Sequence, residues 1–142
     1  MTEHPFQMRL ECRYEQPHNT VAGLQVHHLV KGAWEDFELS FAQPGFLIFV
    51  YAILNCQHLY MRTNADERGL VLASATGSID VLADESWVLQ KLHVRFDAQL
   101  RSGTPSSADV DYIVERMEHC PVSVNLKDVA DSRTQVEFLA RG

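Results

Sequence analysis

The sequence predicts an α+β fold built on antiparallel sheet. Residues 6–15 and 87–101 each alternate apolar with polar side chains, which is the pattern of a half-buried strand. Residues 46–61 form an apolar run with helical character. The predicted order β-β-β-α-β-β-α-α-β groups strands around isolated helices. This grouping is typical of α+β proteins and does not favour a doubly wound parallel sheet.

The first strand, residues 6–15, is followed by a turn at residues 16–19, with the sequence Gln-Pro-His-Asn. Residues 22–30 then form a second strand, so that the two strands make a hairpin. A short third strand is predicted at residues 37–41. Pro44 and Gly45 end it, because both residues interrupt regular structure.

A long helix is predicted from residue 46 to about residue 68. It is apolar on nearly all sides at first, becomes polar from Arg62, and stops at Gly69, which suits a helix C-terminus. A helix that is apolar on all sides must be surrounded by protein.

Strands are predicted next at residues 70–83 and 87–101, with Gly77 marking a bulge. A second, amphipathic helix starts within residues 104–107. Its apolar face carries Val110, Ile113, Val114 and Met117. A short helix at residues 120–126 and an edge strand at residues 129–139 complete the predicted order.

Length and charge limit the possible functions. With 142 residues the chain fits one domain, residues 1–142. Its net charge of −7 argues against nucleic acid or an anionic membrane as a main partner.

The apolar run at 46–61 is too short to span a membrane and contains polar residues. The N-terminal residues lack the pattern of a signal peptide, so we expect a cytoplasmic location, where cysteines are more often free or catalytic.

Two of the three cysteines stand where thiol chemistry is favoured. Cys120 precedes Pro121, a residue that suits the first turn of a helix, so Cys120 is predicted to be the N-cap of the short helix. Free N–H groups and the helix dipole would favour its thiolate form. Cys56 lies within the apolar run. The alternative interpretation is that both are small buried hydrophobic residues, and Cys12, on the apolar face of the first strand, is assigned to the core.

Two segments resemble the OsmC/Ohr family, named for osmotically inducible protein C and organic hydroperoxide resistance protein. Pro44 and residues 51–56 (Tyr-Ala-Ile-Leu-Asn-Cys) match the segment that holds the family's first cysteine. Residues 118–126 (Glu-His-Cys-Pro-Val-Ser-Val-Asn-Leu) match the segment that holds the second. The two cysteines are 64 positions apart, and the elements follow the family's order from residue 6 to residue 138. The chain is therefore interpreted as a divergent member.

The resemblance implies antiparallel sheets wrapped around a long central apolar helix, in an intertwined homodimer with its active sites at the subunit interface. It also implies thiol-dependent reduction of organic hydroperoxides. Cys56 would attack the peroxide and become a sulfenic acid, Cys120 would resolve it as a disulfide, and a dithiol reductant would restore both thiols. By contrast, a position at a helix N-cap would make Cys120 the more reactive thiol. Which of the two cysteines attacks the peroxide therefore stays open. No cofactor and no metal is expected.

One feature of the family's peroxidases is missing from this sequence. They carry a Glu after the proline of the first helix, paired with an Arg of the hairpin turn that stabilises the thiolate. Here Gly45 and Phe46 follow Pro44, and the turn at 16–19 has no Arg. Without a cation, a buried Cys56 is expected to keep a raised pKa and to react slowly. The competing hypothesis is a non-catalytic dimer of the same fold that binds a small apolar ligand.

Four further residues are candidates to support the site: His58, His119, Pro121 and Ser123. Residues two apart on a helix do not share a face, so His58 is not expected to touch the Cys56 sulfur of its own chain. His119 adjoins the second cysteine and is a candidate for holding a thiolate, and Ser123 is expected to cap or line the pocket. A zinc-binding dimer is a weaker alternative, because the Cys and His residues lack the usual ligand spacing.

Overall fold

A computed structural model describes residues 2–140 of the chain. The strands are β1 (His4–Glu15), β2 (Thr20–Val30), β3 (Ala33–Asp36), β4 (Val71–Ala83), β5 (Leu89–Ser102) and β6 (Asp131–Leu139). The helices are α1 (Gly45–Glu67) and α2 (Ser107–Glu118), followed by a single 3₁₀ turn (Ser123–Leu126).

The six strands form one mixed sheet in the order β3-β2-β1-β4-β5-β6. Neighbouring strands are antiparallel up to β5, but β6 runs parallel to β5. The prediction of purely antiparallel sheet is therefore wrong at this edge. The reason is the connection: α2 and the 3₁₀ turn return the chain to the end of the sheet where β5 began, and such a crossover joins parallel strands. The position of β6 at an edge is confirmed.

The third strand is shorter and earlier than residues 37–41. β3 pairs with β2 through a two-residue turn, in which Lys31 has φ 50° and Gly32 has φ 84°. Two successive residues with positive φ make a tight hairpin turn, so pairing begins immediately after Gly32. The N–H of Phe37 still donates to the carbonyl of Val26 on β2 at 2.9 Å, but no residue after Asp36 is part of β3. The Phe37 side chain is buried, with its ring 5.4 Å from that of Tyr51 on α1. Residues 37–41 are therefore not a strand.

Helix α1 ends, and helix α2 begins, as the sequence predicts. Beyond the C-terminus of α1, Gly69 has φ 76°, the N–H of Leu70 donates to the carbonyl of Ala65 at 2.9 Å, and the N–H of Gly69 donates to Asp66 at 3.0 Å. This is the Schellman arrangement that a glycine at this position allows. At the start of α2, the Ser106 side chain accepts from the N–H of Asp109 in a capping box.

Helices α1 and α2 pack on one face of the sheet, and the core lies between the two layers. Gly77 does not mark a bulge: it pairs in regular register with Leu10 of β1 and Phe96 of β5. Its missing side chain leaves room for the Phe96 ring, since a Cβ on Gly77 would lie 2.7 Å from Phe96 Cδ1. The imidazole of His58 stacks on the same ring, at 5.6 Å between centroids and 13° between planes.

The single chain encloses α1 on some sides only. Its buried residues face the sheet and α2, whereas Leu59 is 41% exposed. Leu39 and Phe41, in the segment that leads to α1, are 50% and 106% exposed. Full enclosure of α1 stays a prediction that depends on a second copy. Among residues 2–140 no helix has the length and apolar character needed to cross a membrane.

Candidate functional site

Cys56 and Cys120 are close enough for the Cys120 side chain to act on the pKa of the Cys56 thiol, although 64 positions separate them in the sequence. Cys56 lies midway along α1 and is partly buried, whereas Cys120, directly after α2, has no exposed surface. Helix α1 packs against α2 and the 3₁₀ turn, the two elements on either side of Cys120. Both residues are free cysteines. The arrangement leaves Cys56 as the thiol nearer to solvent.

The segment that follows Cys120 is one helical turn. The N–H of Val124 donates to the carbonyl of Cys120 at 2.9 Å, and the N–H of Ser123 donates to the Cys120 sulfur at 3.4 Å. These are the bonds of an N-cap whose side chain accepts from the third helical residue. Regular 3₁₀ geometry starts only at Ser123, so the predicted helix at 120–126 is wrong in its first residues. Pro121 is exposed within the turn.

Burial raises the pKa of the Cys56 thiol to about 11, and the neighbouring Cys120 side chain raises it as well. The backbone N–H of Val122 acts in the opposite direction, because a hydrogen bond to sulfur favours the thiolate. Within residues 2–140 no cationic side chain contributes to the pKa of this thiol. The raised pKa that the sequence predicts from the missing Arg therefore agrees with the structure.

Gln57 is a site residue that sequence reasoning missed. Its side chain is 2% exposed. Its Nε2 donates to Ser123 Oγ at 3.0 Å, and its Oε1 accepts from Thr134 Oγ1 at 3.2 Å. One amide therefore joins α1, the turn after Cys120 and strand β6. The signal was a polar residue inside the apolar run 46–61, next to a cysteine.

His58 points away from both cysteines, toward the sheet. Its Nε2 lies 2.7 Å from the hydroxyl of Tyr14 on β1, and it is 3% exposed. Burial lowers the pKa of His58 to about 4, and the positive charge of Arg62 lowers it further. Burial also raises the pKa of Tyr14. Near neutral pH the pair is therefore uncharged. The expectation that His58 does not touch the Cys56 sulfur agrees with this placement.

His119 and Cys12 lie outside the cysteine pair. The Nδ1 of His119 lies 2.8 Å from the carbonyl of Glu115, at the end of α2, and its ring is exposed. Cys12 is 3% exposed in the core, as predicted, and burial raises the pKa of its thiol. In the described part of the chain no three His, Cys, Asp or Glu side chains are grouped to hold a metal ion.

An open groove of about 310 Å³ lies near the N-terminus of α1. Phe46 and Phe49 of α1, Trp87 of the turn between β4 and β5, and Leu126 of the 3₁₀ turn line its apolar part. Asn125 and Asp128 are polar residues of its lining. The Trp87 ring is 48% exposed and its centroid lies 5.1 Å from that of Phe46. The groove is therefore an aromatic surface adjoining the turn that follows Cys120.

The hairpin turn at residues 16–19 lies at the opposite end of α1 from Gly45 and Phe46. Asn19 is fully buried, and its Nδ2 donates to the carbonyls of Arg62 and Leu70, each at 3.1 Å. His18 Nδ1 lies 3.0 Å from Asp66 Oδ2. About 20 helical residues, or roughly 30 Å along the axis, separate this turn from the helix start. The two positions of the family's Arg–Glu pair are therefore far apart within one chain.

The sequence matches no protein-family model and no curated protein. Solved structures are similar in fold. An OsmC-like hydroperoxide resistance protein from Jannaschia sp. CCS1 has a TM-score of 0.56 at 17% identity, over 87% of each chain.

Two further structures agree with this result. An OsmC-like protein from Mycoplasma pneumoniae has a TM-score of 0.51 at 8% identity, over 83% of this chain and 89% of that one. A hypothetical protein from Aquifex aeolicus VF5 has a TM-score of 0.60 at 9% identity, over 94% of this chain and 96% of that one. At these identities the likeness concerns the fold alone: this chain has the OsmC-like fold, as the sequence predicts.

Proposed function

We propose that this chain is a thiol-dependent peroxidase that reduces organic hydroperoxides through Cys56 and Cys120. The observation that carries the proposal is that the Cys120 side chain is close enough to Cys56 to raise the pKa of its thiol. Two free thiols from distant parts of a chain, held together next to a surface, are suited to reversible disulfide chemistry.

Cys56 is the attacking thiol in this proposal, because it is partly exposed and Cys120 is not. The Cys56 thiolate attacks the outer peroxide oxygen, the O–O bond breaks, and the leaving alkoxide takes up a proton to become an alcohol. Cys56 is then a sulfenic acid. The Cys120 thiolate attacks its sulfur, and hydroxide leaves and takes up a proton to become water. A dithiol reductant returns the disulfide to two thiols by exchange.

We also propose that the active protein is a homodimer. Leu39, Phe41 and Leu59 are large apolar side chains that the single chain leaves exposed. Leu39 and Phe41 line an open apolar depression with Ile48 of α1, and exposed apolar surface favours association. The hairpin turn is at the wrong end of α1 to reach the helix start of its own chain. In a site of the family's type, that turn would therefore come from a second copy.

The proposal is tested with one equivalent of cumene hydroperoxide per chain. We expect the native protein to lose two free thiols, those of Cys56 and Cys120, and to retain that of Cys12. A Cys120→Ser variant should accumulate a sulfenic acid on Cys56 that dimedone traps, and Cys56→Ser should not react. Oxidation of Cys12 in place of the pair, or no oxidation at all, would reject the peroxidase.

The second candidate function is a non-catalytic dimer that binds a small apolar ligand. Two observations favour it: the pKa of about 11 for Cys56, and the aromatic groove of about 310 Å³ at the start of α1. Cumyl alcohol, which cannot oxidise a thiol, is the probe. Saturable quenching of tryptophan fluorescence that disappears in Trp87→Phe, together with no thiol oxidation by the hydroperoxide, would favour the binding protein over the peroxidase.

A further inference from the structure

The amide of Gln57 makes a polar link between α1 and the turn that follows Cys120. Its Nε2 donates to Ser123 Oγ at 3.0 Å, and the N–H of the same Ser123 donates to the Cys120 sulfur at 3.4 Å. On its other side, Oε1 accepts from Thr134 Oγ1 of β6 at 3.2 Å. A short series of hydrogen bonds therefore runs from the edge strand, through Gln57, to the sulfur of Cys120.

We propose that Gln57 is a positioning residue for disulfide formation, holding the Cys120 sulfur in line with the sulfur of Cys56. This inference rests on the proposed pairing of the two cysteines. The turn that follows Cys120 is a single turn of 3₁₀ helix in which Val124 and Asn125 are exposed. With these two side chains in solvent, few contacts of the turn's own fix its position.

Disulfide formation depends strongly on position. The attacking sulfur must approach along the axis of the bond that breaks, and the final Cα–Cα distance is confined to a narrow range. A misplacement of about 1 Å at a reacting centre can lower a rate about a hundredfold. Ser123 also supplies the N–H that donates to the Cys120 sulfur, so a shift of this residue would change the position of that sulfur.

An amide suits this positioning role because it donates one hydrogen bond, to Ser123, and accepts another, from Thr134. A leucine at position 57 would fill a similar volume but would leave the hydroxyls of Ser123 and Thr134 without their partner. A glutamate would preserve both links: a protonated carboxyl donates and accepts like the amide, and an ionised one accepts from both hydroxyls. Gln57→Glu is therefore the conservative variant, and Gln57→Leu the disruptive one.

The test uses 5,5′-dithiobis(2-nitrobenzoic acid), which does not depend on peroxide chemistry. With one equivalent per chain, Cys56 attacks the reagent and releases one thionitrobenzoate, forming a mixed disulfide. Cys120 then attacks the Cys56 sulfur and releases a second thionitrobenzoate, forming the protein disulfide. The two releases are followed by absorbance, and the protein disulfide is identified by mass spectrometry.

We expect Gln57→Leu to lower the ratio of the second rate to the first by about tenfold to a hundredfold, the range for a small loss of alignment. Thr134→Val, which removes one of the two links, should lower the ratio less, and Gln57→Glu should restore it. The matched control is Asn64→Leu, at another buried polar residue of α1; within residues 2–140 the Asn64 side chain bonds only to the carbonyl of Tyr60 on its own helix. It should leave the ratio unchanged.

Equal ratios in Gln57→Leu and the native protein would overturn the inference, and so would an equal fall in the Asn64→Leu control. A native protein that releases only one thionitrobenzoate would overturn it as well, because Cys120 would then not reach Cys56. If the two-phase reaction and its dependence on Gln57 persist while cumene hydroperoxide oxidises nothing, the peroxidase proposal fails and the positioning role stands.

Discussion

Cys56 should alkylate slowly at neutral pH, and removal of the Cys120 thiol should speed its alkylation. Burial raises the pKa of Cys56 to about 11, and the second contribution in size is the neighbouring Cys120 side chain, which also raises it. Only the thiolate is nucleophilic. Replacing Cys120 by alanine removes that neighbour and leaves the N–H of Val122, which favours the thiolate, in place.

The magnitude follows from the ionised fraction. A thiol with a pKa of about 11 is ionised in about one molecule in ten thousand at pH 7, against a few per cent for an ordinary cysteine. The rate constant for alkylation should therefore rise about tenfold for each pH unit between pH 7 and pH 10, with no plateau in that range. In Cys120→Ala the whole profile should move toward lower pH.

The assay is alkylation by iodoacetamide, with Cys56 followed by peptide mass spectrometry at a series of pH values. Cys12 is an internal control, because it is 3% exposed and its modification reports unfolding. A plateau at or below pH 8 in the native protein would refute the argument. It would mean that a cation stabilises the thiolate, supplied either by a second copy of the chain or by residues outside 2–140.

Three other predictions follow from the same structure. Gly77→Ala should lower the free energy of unfolding by about 1–3 kcal/mol, because its Cβ would press on the Phe96 ring. Gly45→Ala is the control and should not lower it, because nothing lies within 4 Å of its Cβ. Equal urea midpoints for the two variants would count against the packing argument. His58, with a pKa lowered to about 4, takes up its proton more readily when the chain is unfolded, so its contribution to stability is complete above pH 6.5 and is lost as the pH falls toward 4. That loss amounts to roughly 3 kcal/mol, and urea titrations at pH 7 and pH 4.5 should show it in the native protein and much less in His58→Gln. Sedimentation at micromolar concentration should show a dimer, and a stable folded monomer would contradict the homodimer.

The sequence by itself determined most of the elements. Alternation in residues 6–15 and 87–101 predicts β1 and most of β5, because a half-buried strand repeats every two residues. β5 begins at Leu89, since Trp87 has φ 68° and belongs to the preceding turn. Gly69 marks the end of α1, and the capping signal at the start of α2 is also local. Such features depend on neighbours within a few residues, so they can be read from the order of residues alone.

Tertiary structure decided how those elements meet. Nothing local required β6 to lie parallel to β5, since the direction follows from the path of the crossover between them. A glycine within a strand, such as Gly77, suggests a bulge from the sequence alone. In the structure its missing side chain leaves room for the Phe96 ring, and the register of β4 and β5 sets that contact.

The candidate site divides in the same way. The sequence singles out Cys56 and Cys120 by motif and spacing, and it predicts the absence of a cation beside Cys56. It does not reveal Gln57, whose two partners lie 66 and 77 positions away, nor the burial of His58 against Tyr14. Hydrogen bonds between distant residues depend on the packing of whole helices and strands, and only the folded chain specifies them.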